Sequence, residues 1–222
     1  MASMAFSLEA AKEALDRDGF FDLEDSTTGD DVWEMERRRF PYVSEYGLDF
    51  CQKRVLDDMR IRTTVEAILG RCTLAHWLRY TAYPGHVVCF RSGGPKAGRR
   101  ALLVHLWAKG SRVEYYGGSH LHDLPKQKGA RLLWETQPST LGEAGCVATL
   151  KSFRDGGAVI LDARVHYEIK EGYVIKFEFA TDDIIENWPK LMVPALLEQK
   201  VASMQSDRIR LNYEVALEAQ KT

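Results

Sequence analysis

RALLVHLWAKGSRVEYYGGSHLHDLP, residues 100–125, alternates before it turns. Leu102, Val104 and Leu106 fall on one side of an extended chain, and Leu103, His105 and Trp107 on the other. Alternation with period two is the mark of a β-strand. Lys109-Gly110-Ser111 supplies a turn in which Gly110 is free to take positive φ. Val113, Tyr115 and Tyr116 then make a short aromatic strand that ends in a Gly117-Gly118-Ser119-His120 corner.

Upstream of this hairpin the pattern is helical. Ser7 caps a helix that stops at Gly19, Phe20 to Leu23 are extended, and Asp30 or Asp31 caps a second helix through Arg39. A third helix is predicted from Leu48 to Leu69, because Phe50, Val55, Met59, Ile61, Val65 and Ile68 recur near helical spacing and Gly70 closes it. Beyond about Leu74 the texture changes. Short strands are predicted at His76–Tyr83, His86–Arg91, Ala130–Glu135, Cys146–Phe153, Ala158–Leu161, Arg164–Ile169 and Tyr173–Phe179, with Gly and Pro turns between them. Such a series predicts a sandwich or barrel rather than a βαβ sheet. The reading is therefore one domain over 1–222: N-terminal helices over 1–72, a β core over 73–181 and a C-terminal helix over 182–222.

A chain of 222 residues with 45% hydrophobic residues can bury a full core. Its net charge of −2 lacks the basic excess of a nucleic-acid binder. The four cysteines, Cys51, Cys72, Cys89 and Cys146, form no CxxC pair and read as small buried hydrophobes in a reducing compartment. Glu9 and Glu13 stand where a signal peptide needs an apolar run, and no apolar stretch approaches the roughly 20 residues that span a bilayer. A cytoplasmic protein that binds neither nucleic acid nor membrane is expected.

Six histidines are the candidates for metal chemistry. His105 shares a strand face with Leu103 and Trp107 and reads as a satisfied core or lumen residue. His120-Leu121-His122 precedes Asp123, but no Glu follows until Glu135, and a surface loop is the expectation. A two-histidine, one-carboxylate iron site needs His-x-Asp/Glu on one strand and a later histidine. Of the six, only His166 has a carboxylate two residues on, Glu168, and no histidine lies beyond it. There is no GxSxG elbow and no phosphate loop.

Several patterns together resemble the phytanoyl-CoA dioxygenase-like branch of the Fe(II)/2-oxoglutarate oxygenases. The family's "dGF" segment is similar to LDRDGFFDL at 15–23, its strand pair and "PGSH" corner to LLVHLWAKGSRVEYYGGSH at 102–120, and its distal-histidine strand pair to DGGAVILDARVHYEI at 155–169. The resemblance implies a mainly β fold with flanking helices, built on a double-stranded β-helix (jelly-roll, cupin-like) core. It implies metal ligands at His86 and at His166 or Tyr167. The family's carboxylate position falls on Val88, which cannot ligate iron and is too bulky for the halide-binding variant of the site. The arginine that holds the oxo acid is replaced on the strand Gly172–Phe177, where Lys176 is the one cation, a point charge rather than a fork.

These departures imply a barrel that has kept its fold and lost its iron, with His86 and His166 vestigial. The resemblance points to the smaller, non-catalytic subunit of a fungal heterodimeric oxygenase in meroterpenoid-type secondary metabolism. No cofactor is then expected in this chain, and Fe(II) and 2-oxoglutarate sit in a homologous catalytic partner. Trp33, Tyr42, Tyr46 and Trp188 are candidate interface aromatics. Two rivals remain. One is an enzyme that binds iron through His86, His166 and Glu168; the other is a barrel that binds a hydrophobic small molecule in a lumen lined by Trp107, Phe153 and Phe179.

Overall fold

The structure, a computed structural model, describes residues 6–23, 25–129, 131 and 133–216. Helices come first. Helix α1 (Leu8–Arg17) starts at Ser7, whose hydroxyl accepts the Ala10 N–H, and the chain leaves it at Gly19 with φ of +82°. A Cβ at Gly19 would lie 2.4 Å from Val165 Cγ2, so the glycine serves both the turn and a close approach. Strand β1 (Phe20–Asp22) follows, then α2 (Thr28–Arg37).

The helix predicted from Leu48 to Leu69 is broken in two. Helix α3 (Glu45–Cys51) passes into a π-helical turn at Gln52–Leu56, and α4 (Met59–Leu69) starts afresh. The cause is Asp58, whose carboxylate accepts the N–H groups of Arg60 and Ile61 and caps a new helix instead of continuing the old one.

The β core follows the predicted strands in order, but His86–Arg91 is cut to Val88–Cys89 and Ala130–Glu135 to Trp134–Glu135, with Ala130 and Leu132 outside the described residues. Its members are β2 (Cys72–Thr81), β3 (Val88–Cys89), β4 (Ala101–Trp107), β5 (Ser111–Gly117), β6 (Gln127–Lys128), β7 (Trp134–Glu135), β8 (Val147–Phe153), β9 (Gly157–Asp162), β10 (His166–Glu171) and β11 (Tyr173–Ala180), with helix α5 (Pro138–Glu143) between β7 and β8. They close into two sheets. One has the order β1-β9-β4-β11-β2, the other β6-β7-β3-β10-β5-β8. The opening hairpin is β4 and β5, but its two strands part company, one to each sheet.

After Ala180 the long C-terminal helix is not formed. The chain runs through α6 (Asp182–Ile185), β12 (Leu191–Pro194), α7 (Glu198–Ser203), β13 (Ile209–Leu211) and β14 (Tyr213–Ala216); residues 217–222 lie outside the described residues. Pro189 and Pro194 interrupt the helical pattern. Leu191, Val193, Ile209 and Leu211 lie in paired strands: β13 extends the first sheet parallel to Cys72–Leu74, and β12 pairs with β14.

Period-two alternation divides the core. Leu102, Val104, Leu106, Ile175, Phe177 and Phe179 face outward from the first sheet and pack against Leu15, Val32, Met35, Leu48, Ile61 and Val65 of the helices. Leu103, Trp107, Tyr115, Phe153, Val159, Tyr167 and Val174 fill the space between the sheets. Phe179 therefore belongs to the helix layer, while Trp107 and Phe153 do line the lumen, stacked with centroids 5.5 Å apart. Phe177→Ala is expected to lower stability by about 3–5 kcal/mol in urea unfolding, because the ring is fully buried against Phe50 and Trp77. Leu78→Ala, at a position 37% exposed, should change it by less than about 0.5 kcal/mol.

Candidate functional site

Within the second sheet, β3 and β10 pair antiparallel with Tyr167 opposite Val88. Residues directly opposite share a face. Here both point into the lumen, where Val88 and Tyr167 join the inner core. His86, two residues before Val88, lies on the same side and lines the lumen mouth beside Tyr80 and Tyr83. Its ring stacks on Tyr83 at 3.6 Å between centroids, and Nδ1–H donates to Glu135 Oε2 at 3.1 Å.

His166 points the other way. It is buried on the outer face of the second sheet, with Nε2 3.0 Å from Thr136 Oγ1 and its backbone N–H donated to Ser119 Oγ. His86 and His166 are thus not brought to one centre: a one-residue step along a strand exchanges faces. Of the two sequence candidates for the distal position, Tyr167 faces the lumen. Glu168 shares the outer face with His166, where it accepts the Gly85 N–H at 2.7 Å and pairs with Lys170. The gap between His86, Val88, Tyr80 and Tyr167 is about 10 Å³, at the lower limit for one water. Among the described residues, no group of three or more His, Cys, Asp and Glu is arranged to hold a metal ion. Val88 offers no donor atom and the His86 imidazole is committed to Glu135, so among the described residues the lumen mouth lacks a two-histidine, one-carboxylate set.

The remaining histidines are held by the fold. His105 is fully buried, with Nδ1 3.0 Å from the Tyr115 hydroxyl, which also accepts from Trp107 Nε1–H at 3.0 Å. His120 departs from the expected surface loop. It is buried beneath Gly19 and donates from Nε2 to the Asp16 carbonyl, while His122 is exposed. Of the candidate interface aromatics, Trp33 and Tyr42 are exposed, and Tyr46 and Trp188 are half-buried against the two cores.

A buried charge cluster was not legible in the pattern. Lys176, 0% exposed, makes an ion pair with Glu178, also 0% exposed, and His76 Nε2 lies 2.7 Å from Glu178 Oε2. Lys176 Nζ also sits over the rings of Phe90 at 4.2 Å and Tyr80 at 4.5 Å. Burial alone would push the Lys176 ammonium down, and the Glu178 carboxylate beside it outweighs this and holds it above its ordinary range. Burial likewise would raise Glu178, and Lys176 followed by His76 brings it below the usual carboxylate range. The pair is charged and self-neutralised. The available signal was that Lys176 and Glu178, two apart on a strand, share a face.

No family model matches the chain, and no curated protein sequence matches it. Solved structures do. The fold is the double-stranded β-helix. The epimerase SnoN in complex with iron, α-ketoglutarate and nogalamycin RO aligns with a TM-score of 0.57 at 14% identity, over 95% of this chain and 96% of SnoN. HygX from Streptomyces hygroscopicus with iron bound aligns at 0.53 and 13%, over 95% and 98%. EctD from S. alaskensis with 2-oxoglutarate and 5-hydroxyectoine aligns at 0.53 and 13%, over 82% and 79%. The β-helix architecture is shared with these structures over 82–95% of this chain.

The buried histidine makes the core acid-sensitive. Burial first, then the charge of Lys176, push His105 well below its ordinary value. The unfolded imidazole takes up a proton near pH 6.5 and the folded one only at much lower pH. Below 6.5 the unfolded chain therefore binds more protons, and stability falls as pH falls, by up to about 1.4 kcal/mol per pH unit for this group. His105→Leu is expected to be less stable at pH 7 and to show a shallower loss between pH 6.5 and 4.5, measured by urea unfolding at each pH.

Proposed function

We propose that this chain is a non-catalytic β-helix subunit that pairs with a homologous Fe(II)/2-oxoglutarate oxygenase and stabilises it or shapes its substrate pocket. The observation that carries the reading is the Val88–Tyr167 pair: where the resemblance places a carboxylate and a histidine, a valine with no donor atom faces a tyrosine packed into the core. A second observation supports it. Lys176, the one candidate to hold an oxo acid's carboxylate, already holds the carboxylate of Glu178 inside the lumen. The fold is that of iron enzymes, so Fe(II) and 2-oxoglutarate belong to the partner in this reading, and a fungal meroterpenoid-type pathway is the setting that the sequence resemblance favours. Among the described residues no helix is long and apolar enough to cross a membrane, and all four cysteines are free, which suits a reducing, cytoplasmic setting.

The rival enzyme would use His86, His166 and Glu168. The outward placement of His166 and Glu168, each committed to other partners, speaks against that set. Metal analysis of the chain purified alone after expression in iron-supplemented medium separates the readings. Substoichiometric iron and no decarboxylation of 2-oxoglutarate are expected, with activity appearing only on co-expression with a homologous oxygenase from the same genomic neighbourhood. Stoichiometric iron that is lost in His86→Ala and His166→Ala would overturn the proposal. The double change Val88→Asp with Tyr167→His puts donors on the lumen face beside His86 and is expected to gain iron binding that the wild type lacks.

A further inference from the structure

A cleft of about 480 Å³ opens beside the lumen, along the edge of β2. It exists because β13 covers β2 only at Cys72–Leu74; from Ala75 to Thr81 no strand among the described residues pairs with that edge. The cleft wraps the bare edge. His76, Leu78 and Tyr80 enter it from the lumen side and Trp77 from the helix side, and Leu191 and Met192 of β12 form the opposite wall. Leu78 is 37% exposed and Met192 52%, large apolar surface with nothing covering it. Its size falls within the range of small-molecule sites, and it is far larger than the gap at the lumen mouth.

Two features narrow the occupant. The walls are rich in flat rings: Tyr42, Trp77, Tyr80 and Phe90 all contribute. Among the described residues the charged side chains on the wall are Arg131 and Lys190, with no carboxylate; Glu178 lies buried behind His76. Arg131 is fixed at the cleft end by donating to the Thr81 carbonyl at 2.7 Å and by its guanidinium lying 4.4 Å over the Tyr83 ring, and no carboxylate among the described residues makes an ion pair with it. Lys190 is 54% exposed and only loosely paired, 3.8 Å from Glu214. Flat rings with a cationic rim suit a flat apolar body that carries one anionic group.

We infer that this cleft is a binding site for a small aromatic or polycyclic monoanion, with the ring system among Tyr42, Trp77 and Leu78 and the anionic group toward Arg131 or Lys190. The site stands whether or not the chain pairs with an oxygenase, since none of its residues belongs to the iron question except through the shared lumen mouth.

Isothermal titration of the full chain with three matched probes tests it: 2-naphthoate, the neutral naphthalene-2-methanol and the cationic 2-naphthylmethylamine. Saturable binding is expected in that order of affinity, with naphthoate about tenfold tighter than the alcohol, the worth of one charge-assisted contact. Arg131→Gln with Lys190→Gln should bring naphthoate down to the level of the alcohol and leave the alcohol unchanged. Leu78→Asn with Met192→Asn, both at exposed positions that the fold does not need, should abolish binding of all three. Equal affinities for the three probes, no saturable binding of any of them to the folded chain, or naphthoate binding untouched by either double variant would each overturn the inference.

Discussion

Two sheets that face each other leave a lumen whose side chains must be close-packed or hydrogen-bonded, and in this chain aromatic rings meet that demand. Trp107 stacks on Phe153, Phe20 stacks on Tyr115 at 4.8 Å, and Tyr167 stands edge-on to His105 at 4.9 Å. The polar ends are tied together through the Tyr115 hydroxyl, which meets both His105 and Trp107. Filling of this kind rigidifies the barrel and leaves almost no free volume where a metal enzyme needs open coordination positions. Tyr167 is central to it, because the same ring packs the core and stands opposite Val88.

The second constraint is electrostatic. A lysine in a sealed lumen is costly unless its charge is met, and Glu178 meets it from two residues away on the same strand. His76 then spans from Glu178 to the neighbouring cleft. Removing one member of such a pair generally costs about 3–5 kcal/mol, because the other charge is left buried and alone. The cluster thus holds the open side of the barrel together where β13 no longer supports β2. The barrel gains from this internal neutralisation, and an apolar cleft lies along its edge.

Much of the architecture was readable in one dimension. Period-two runs such as Leu102–Trp107 and Tyr173–Phe179 located the strands, and the glycines and prolines located the turns, since both signals are local. The helix from Leu48 failed at Asp58 because capping competes with continuation, and the C-terminal helix failed because apolar spacing near Leu191 and Ile209 serves parallel pairing as well as a helix face. The site was half legible. His86 and Val88, two apart, share a face by spacing alone. Whether His166 or Tyr167 enters the lumen was beyond the sequence, because an error of one residue in strand register exchanges the two.

By itself, then, the sequence determined a β core between helical ends, the absence of a carboxylate two residues after His86, and the lack of an arginine on the strand after Gly172. Only the tertiary structure decided that Tyr167 faces Val88, that Lys176 is answered by Glu178 and His76, and that the edge of β2 stays bare beside an apolar cleft. The physical reason is common to all three. Alternation along a strand is a property of neighbours in the chain, whereas register, the approach of His76 to the Lys176–Glu178 pair and an uncovered edge depend on which distant strands come to lie side by side.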